Sequence, residues 1–239
     1  MSMRDFESFG TEHWTWLAMG LLSIITWVIA GRKAGTLPDG DHKQRLIGLI
    51  MGLIPAILWI GGSIWLTLYE DPIPKNFVLP FHVCYFLNLV MPFMLWRKSY
   101  FIFEITYFVT MAGTLQALFT PDLQHGFPDL INVRYFVVHI GLMMSTFYAI
   151  FVYGFRPTWK SLWKAILWTN LYMVFVTPIN LFFDTNFMYV RAKPPVASML
   201  DYLGDWPWYL LTGQVMLVVL FTIVLLPFLI LKPRVQPAG

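Results

Sequence analysis

Residues 46–68 read LIGLIMGLIPAILWIGGSIWLTL, a run of 23 without one charged side chain. An α-helix rises about 1.5 Å per residue, so roughly 20 apolar residues cross a hydrocarbon core about 30 Å thick. Inside lipid only a helix or a closed barrel pairs every backbone N–H and C=O, and a run this long without alternation predicts the helix. Outward from this stretch, six more qualify: 14–30, 77–96, 100–120, 132–152, 162–183 and 206–231. Gly35 to Gly40, Asp71 to Pro74, Pro121 to Pro128 and Lys193-Pro194-Pro195 punctuate the connections. The chain is therefore expected to be an all-α integral membrane protein, a bundle of seven transmembrane helices. It reads as a single polytopic domain over residues 1–239, without an internal repeat or a soluble domain.

Composition supports this reading. Hydrophobic residues make up 58% of the 239 and charged ones 12%, about half the share of a soluble domain. So little charge cannot clothe a water-facing surface, and lipid is the expected partner. A net charge of +3, scattered along the chain, excludes an electrostatic nucleic-acid binder. The single cysteine, Cys84, excludes an intrachain disulfide. The first apolar stretch follows the acidic, aromatic Asp5-Phe6-Glu7-Ser8-Phe9 and lacks a basic leader, so it is expected to be a retained helix.

Lysine and arginine set the expected orientation. Arg32, Lys33, Lys43, Arg45, Arg97, Lys98, Arg156, Lys160, Lys164, Lys232 and Arg234 fall on one side, eleven in all, against Arg4, Lys75, Arg134, Arg191 and Lys193 on the other. The positive-inside rule then places the N-terminus outside and the C-terminus in the cytoplasm.

Polar side chains within spans ask for a reason, because each is costly in hydrocarbon. Counting 1.5 Å per residue from the expected boundaries, Cys84 and His139 lie about 10 Å in from the outer surface. Gln116, Asn180 and Gln214 fall in the same layer, near the depth of phospholipid ester carbonyls. On a regular helix His82 and Cys84 point about 200° apart, so His139 is the economical partner for the thiol and Asn88 shares its face. A thiol needs a base to become a nucleophile, an imidazole can shuttle its proton, and amides such as Gln116, Asn180 or Asn88 can donate to an oxyanion. The pattern points to acyl transfer at lipid depth. The structural alternatives are a packing role for Cys84 and interhelical hydrogen-bonding roles for Gln116, Asn180 and Gln214. Glu104 is expected to reach the interface near Arg97 or Lys98, and His13 to cap the first helix.

Several segments resemble the YwaF-like family of bacterial integral membrane proteins: Phe9-Gly10-Thr11-Glu12-His13, Leu79-Pro80-Phe81-His82-Val83-Cys84, Gln116 through Asp122, Phe136-Val137-Val138-His139, Asn180 through Asn186, and Trp206-Pro207-Trp208-Tyr209. That family is similar to eukaryotic TMEM-type cysteine acyltransferases that remodel ether phospholipids, and more remotely to androgen-induced threonine hydrolases of fatty-acid esters. The resemblance implies a nucleophile at Cys84, a base at His139, His82 as a further polar member, and a place in a bacterial cytoplasmic membrane. The expected function is a membrane-embedded acyltransferase or lipid ester hydrolase, with membrane lipids as partners and no cofactor. The alternatives are a small-solute transporter or a non-catalytic membrane protein. Joint metal ligation by His82, Cys84 and His139 is disfavoured by the spacing of the first two, and no metal is expected.

A reporter fused to the C-terminus should be active only in the cytoplasm, and an N-terminal tag should be accessible from outside intact cells. The opposite labelling would refute the charge argument.

Overall fold

The computed structural model describes residues 5–70, 74–194 and 199–231. Arg4, Asp71, Pro195, Lys232 and Arg234, used above, lie outside those residues. Helix α1 spans Thr11–Gly35, α2 Gly40–Tyr69, α3 Lys75–Val78, α4 Val83–Arg97 and α5 Tyr100–Val109. A π-helical segment, Thr110–Thr114, joins α5 to α6 (Leu115–Phe119), and α7 (Leu130–Phe151), α8 (Trp159–Phe183) and α9 (Trp208–Ile230) follow. Among the described residues, seven helical spans are long and apolar enough to cross a membrane, with α3–α4 forming the third and α5–α6 the fourth.

The expectation of one regular helix over residues 77–96 needs correction. Pro80 removes a backbone donor, and the chain is extended at Leu79 (φ −86°, ψ 141°) and His82 (φ −67°, ψ 135°). The third span is therefore a short turn, a four-residue break and a fresh helix beginning at Val83. Across such a break the regular helical spacing that would turn His82 and Cys84 apart does not hold.

Helix α7 is the axis of the bundle. In its most apolar window 72% of residues are buried, against 11% for α1 and 11% for α9, whose side chains face outward. It packs against α1, α2 and α4. Small residues allow the close approach that membrane helices need in the absence of a hydrophobic drive. A Cβ on Gly141 would sit 2.5 Å from Pro55 Cγ, and one on Gly31 would sit 2.6 Å from the Tyr148 ring.

The helix ends sort into two faces. At the basic face the Lys98 ammonium pairs with Asp41, Tyr153 donates to the Leu95 carbonyl (2.8 Å), and Arg156 donates to the Leu231 carbonyl (2.6 Å). Glu104 does not run to Arg97 or Lys98 as expected. It is buried, accepts from Ser161 (2.7 Å) and pairs with Lys164 (2.5 Å), so it ties α5 to the first turn of α8. At the opposite, N-terminal face, Glu12 accepts from the Phe127 N–H (2.9 Å) and from Asn132 (3.0 Å). His13 also departs from its expected surface capping role. It is fully buried, and its Nε2 donates to the Leu118 carbonyl (2.7 Å) while its Nδ1 accepts from the Phe9 N–H (2.9 Å).

Gly141→Ala should destabilise the fold by about 1–3 kcal/mol through overpacking. Gly113→Ala, whose new methyl would meet nothing within 4 Å, should leave the thermal midpoint close to wild type. Equal midpoints for the two variants would contradict the packing described.

Candidate functional site

The N-terminal face gathers the polar residues that the sequence singles out, and the break in the third span organises them. A break frees backbone carbonyls, which need donors in a membrane. Arg134 Nη2 donates to the Phe77 carbonyl (2.9 Å), and the Tyr172 hydroxyl donates to the Phe81 carbonyl (3.1 Å). His82 then stands at the N-cap of α4, makes no side-chain capping bond, and leaves Cys84 in the first turn of that helix. The first N–H groups of a helix have no carbonyl partner within it. Val83, Cys84 and Tyr85 carry those donors here, at the end where the helix dipole favours an anion.

Thr114, the last residue of the π segment, is buried and lies near the Cys84 thiol, with no hydrogen bond between the two. One extra residue per turn is accommodated there, and such bulges re-aim side chains at functional sites. Sequence reasoning missed Thr114, because a threonine in a span ordinarily bonds back to its own helix. Tyr135, Tyr172 and Tyr189 also lie within electrostatic reach of the thiol. Cys84 is half-buried against the core.

His139 is 5% exposed and packs against Tyr135 with the rings tilted by 39° and their centroids 4.2 Å apart. Its Nδ1 lies 2.7 Å from the Tyr135 carbonyl oxygen. A carbonyl can only accept, so Nδ1 carries the proton and Nε2 presents a lone pair. The expected direct pairing is not formed: among the described residues no hydrogen bond links the Cys84 thiol to either imidazole. His82 instead sits in an aromatic surround of Phe187 (5.1 Å), Tyr189 (5.7 Å) and Tyr85 (5.9 Å), within electrostatic reach of His139. Among the described residues no three His, Cys, Asp or Glu side chains are grouped to hold a metal ion.

The four amides part company. Asn88 spends both amide hydrogens, one on the Cys84 carbonyl (2.9 Å) and one on the Val138 carbonyl (3.2 Å). It fastens α4 to α7 beside both candidate residues and has no donor left for an oxyanion. Asn180 accepts from the Phe187 N–H (2.7 Å) and Thr185 (3.0 Å) and donates to the Phe187 carbonyl (3.0 Å). It thereby clamps the turn that presents Phe187 to His82. Gln214 accepts from Asn170 (3.0 Å), linking α8 to α9. Gln116, half-buried on α6, makes no side-chain hydrogen bond among the described residues and remains available to a ligand. Close by in the loop after α6, Asp122 lies within electrostatic reach of Tyr135 and Tyr189, and partial desolvation raises its carboxyl above the usual range.

An apolar groove of about 330 Å³ runs beside this cluster, lined by Val83, Phe86 and Leu87 of α4, Val109 of α5, and Tyr172 and Phe175 of α8. Val83 adjoins Cys84 in the chain, and Tyr172 joins the groove wall to the surroundings of the thiol.

Seven apolar spans around a half-buried thiol at an open helix N-terminus define a polytopic helical membrane protein with a polar cluster at one face. The chain belongs to the TMEM164 family, which it matches over residues 8–225. No curated protein and no solved structure matches it.

Asn180→Ala should lower stability by about 1–3 kcal/mol, the cost of buried polar groups left unpaired, and should expose the Phe187–Tyr189 turn to proteolysis. Wild-type stability with an intact turn would show that Asn180 is not the clamp.

Proposed function

We propose that the protein is a membrane-embedded acyltransferase or lipid ester hydrolase that acts on phospholipid acyl chains in the outer leaflet. The observation that carries the reading is the position of Cys84 in the uncapped first turn of α4, with an apolar groove alongside.

In this reading an acyl chain lies in the groove and its ester carbonyl meets Cys84. The sulfur attacks the carbonyl carbon, a C–S bond forms, and the oxyanion is held by the free N–H groups of the α4 first turn and the Gln116 amide. The thiol proton passes to His139 Nε2, then to the departing glycerol oxygen as the C–O bond breaks. A lysolipid hydroxyl or water attacks the thioester and returns the thiol. Because no direct thiol–imidazole bond exists, the proton path runs through a water or a rotation of the thiol. Thr114 neighbours that sulfur, and His82 is a further polar member of the site.

The test is acyl-chain transfer, or fatty-acid release, from labelled phospholipid in vesicles containing the purified protein. Cys84→Ala should abolish turnover, and His139→Gln should slow it about 100-fold or more, the usual weight of general acid–base catalysis. Turnover by Cys84→Ala at the wild-type rate would overturn the assignment.

A further inference from the structure

Arg134 is left over from this account. It lies one turn into α7, is 4% exposed, and donates through Nη2 to Ser63 (2.8 Å) and to the Phe77 carbonyl (2.9 Å). Both partners are neutral. Among the described residues no carboxylate pairs with it, and the titratable side chain felt at its guanidinium is the Tyr85 phenol. Among the described residues its Nε is buried with no acceptor. Beside it, Trp59 is 4% exposed and its indole N–H is also buried with no acceptor. The guanidinium carbon lies 5.8 Å from the Trp59 ring centroid, and Tyr85 stacks on that ring at 5.4 Å. The Tyr85 hydroxyl likewise has no protein hydrogen-bond partner among the described residues.

A buried cation without a counter-charge costs several kcal/mol, and a membrane protein has little water with which to offset it. Two donors here lack an acceptor, the Arg134 Nε–H and the Trp59 indole N–H, and the Tyr85 phenol stands beside them. Donors of that kind in one place call for an anion with several acceptor oxygens, and the planar fork of arginine matches phosphate. The position of Arg134 along its helix also suits a headgroup. Arg134 precedes His139 by five residues on α7, so it lies about 7.5 Å nearer the N-terminal face. That offset resembles the reach across glycerol from a phospholipid's phosphate to its ester.

We propose that Arg134, Trp59 and Tyr85 form a receptor for a phosphate group, presented by a phospholipid headgroup or as the free anion. As the headgroup subsite of the lipid whose ester meets Cys84 it rests on the function proposed above; as a phosphate receptor it stands without it.

The full-length protein in nonionic detergent is titrated separately with short-chain phosphatidylglycerol, diacylglycerol of the same chains, and inorganic phosphate, with bound ligand read by native mass spectrometry. Phosphatidylglycerol should bind about tenfold or more tightly than diacylglycerol, a difference that one charge-assisted hydrogen bond supplies. Arg134→Gln should remove that preference. Trp59→Phe, which keeps an aromatic ring against Tyr85 and removes the N–H, should weaken it several-fold and guards against a folding defect in the arginine variant. Binding of inorganic phosphate that depends on Arg134 and Trp59 would support the receptor and assign it to the free anion; its absence, with phosphatidylglycerol bound, assigns it to the lipid. Equal binding of diacylglycerol and phosphatidylglycerol, or a preference untouched in both variants, would overturn the proposal. Cys84→Ala should leave the preference intact, so a failure of the catalytic reading is distinguishable from a failure of this one.

Discussion

No backbone N–H or C=O can be left unpaired in hydrocarbon, and the rest of the structure follows from that constraint. Regular helices meet it by themselves. Two spans do not stay regular, and both irregularities lie in the cluster around Cys84. The break at Leu79–His82 is made tolerable by donors from neighbouring helices, Arg134 for the Phe77 carbonyl and Tyr172 for the Phe81 carbonyl. The π segment packs against α7, the most buried helix of the bundle. Irregular backbone is kept where protein covers it, and there it re-aims side chains. Cys84 gains an open helix N-terminus from the first irregularity and Thr114 as a neighbour from the second.

The helical architecture was legible in the sequence because its signal is bulk hydropathy over lengths set by the bilayer. The membership of the polar layer was partly legible for the same reason: counting residues along a span gives depth. What counting cannot give is azimuth. His82 was placed by a regular wheel, and the extended backbone at Leu79 and His82 invalidates the wheel. Pro80 was the available signal, since proline removes a donor and biases its predecessor toward extended structure. Thr114 had no such signal, because a π segment leaves no residue-type signature in Thr110–Thr114. Glu104 and His13 went astray for another reason. Each was assigned to the nearest surface, whereas burial with a complete set of partners (Ser161 and Lys164 for one, Leu118 and Phe9 for the other) satisfies it inside the bundle.

The polar residues of this face divide by whether their hydrogen-bonding capacity is spent. Asn88, Asn180 and Gln214 hold helices or turns together, His13 fastens α1 to α6, and Glu12 fastens it to the loop after α6 and the start of α7. Among the described residues, His139 keeps one ring nitrogen free, Gln116 keeps its amide, and Arg134 and Trp59 keep donors without an acceptor. Free capacity gathered toward one face, with an apolar groove beside Cys84, suits a site for an amphiphile: acceptors and donors for the head, hydrocarbon contact for the chain.

The account turns on Cys84 being the atom that meets the acyl group. The most direct measurement is the intact and peptide mass of the purified protein after incubation with a phospholipid of known acyl chain. The account predicts an acyl adduct, released by hydroxylamine as a thioester is, on the peptide that carries Cys84. Sustained lipid turnover with Cys84 unmodified and freely replaceable would contradict it.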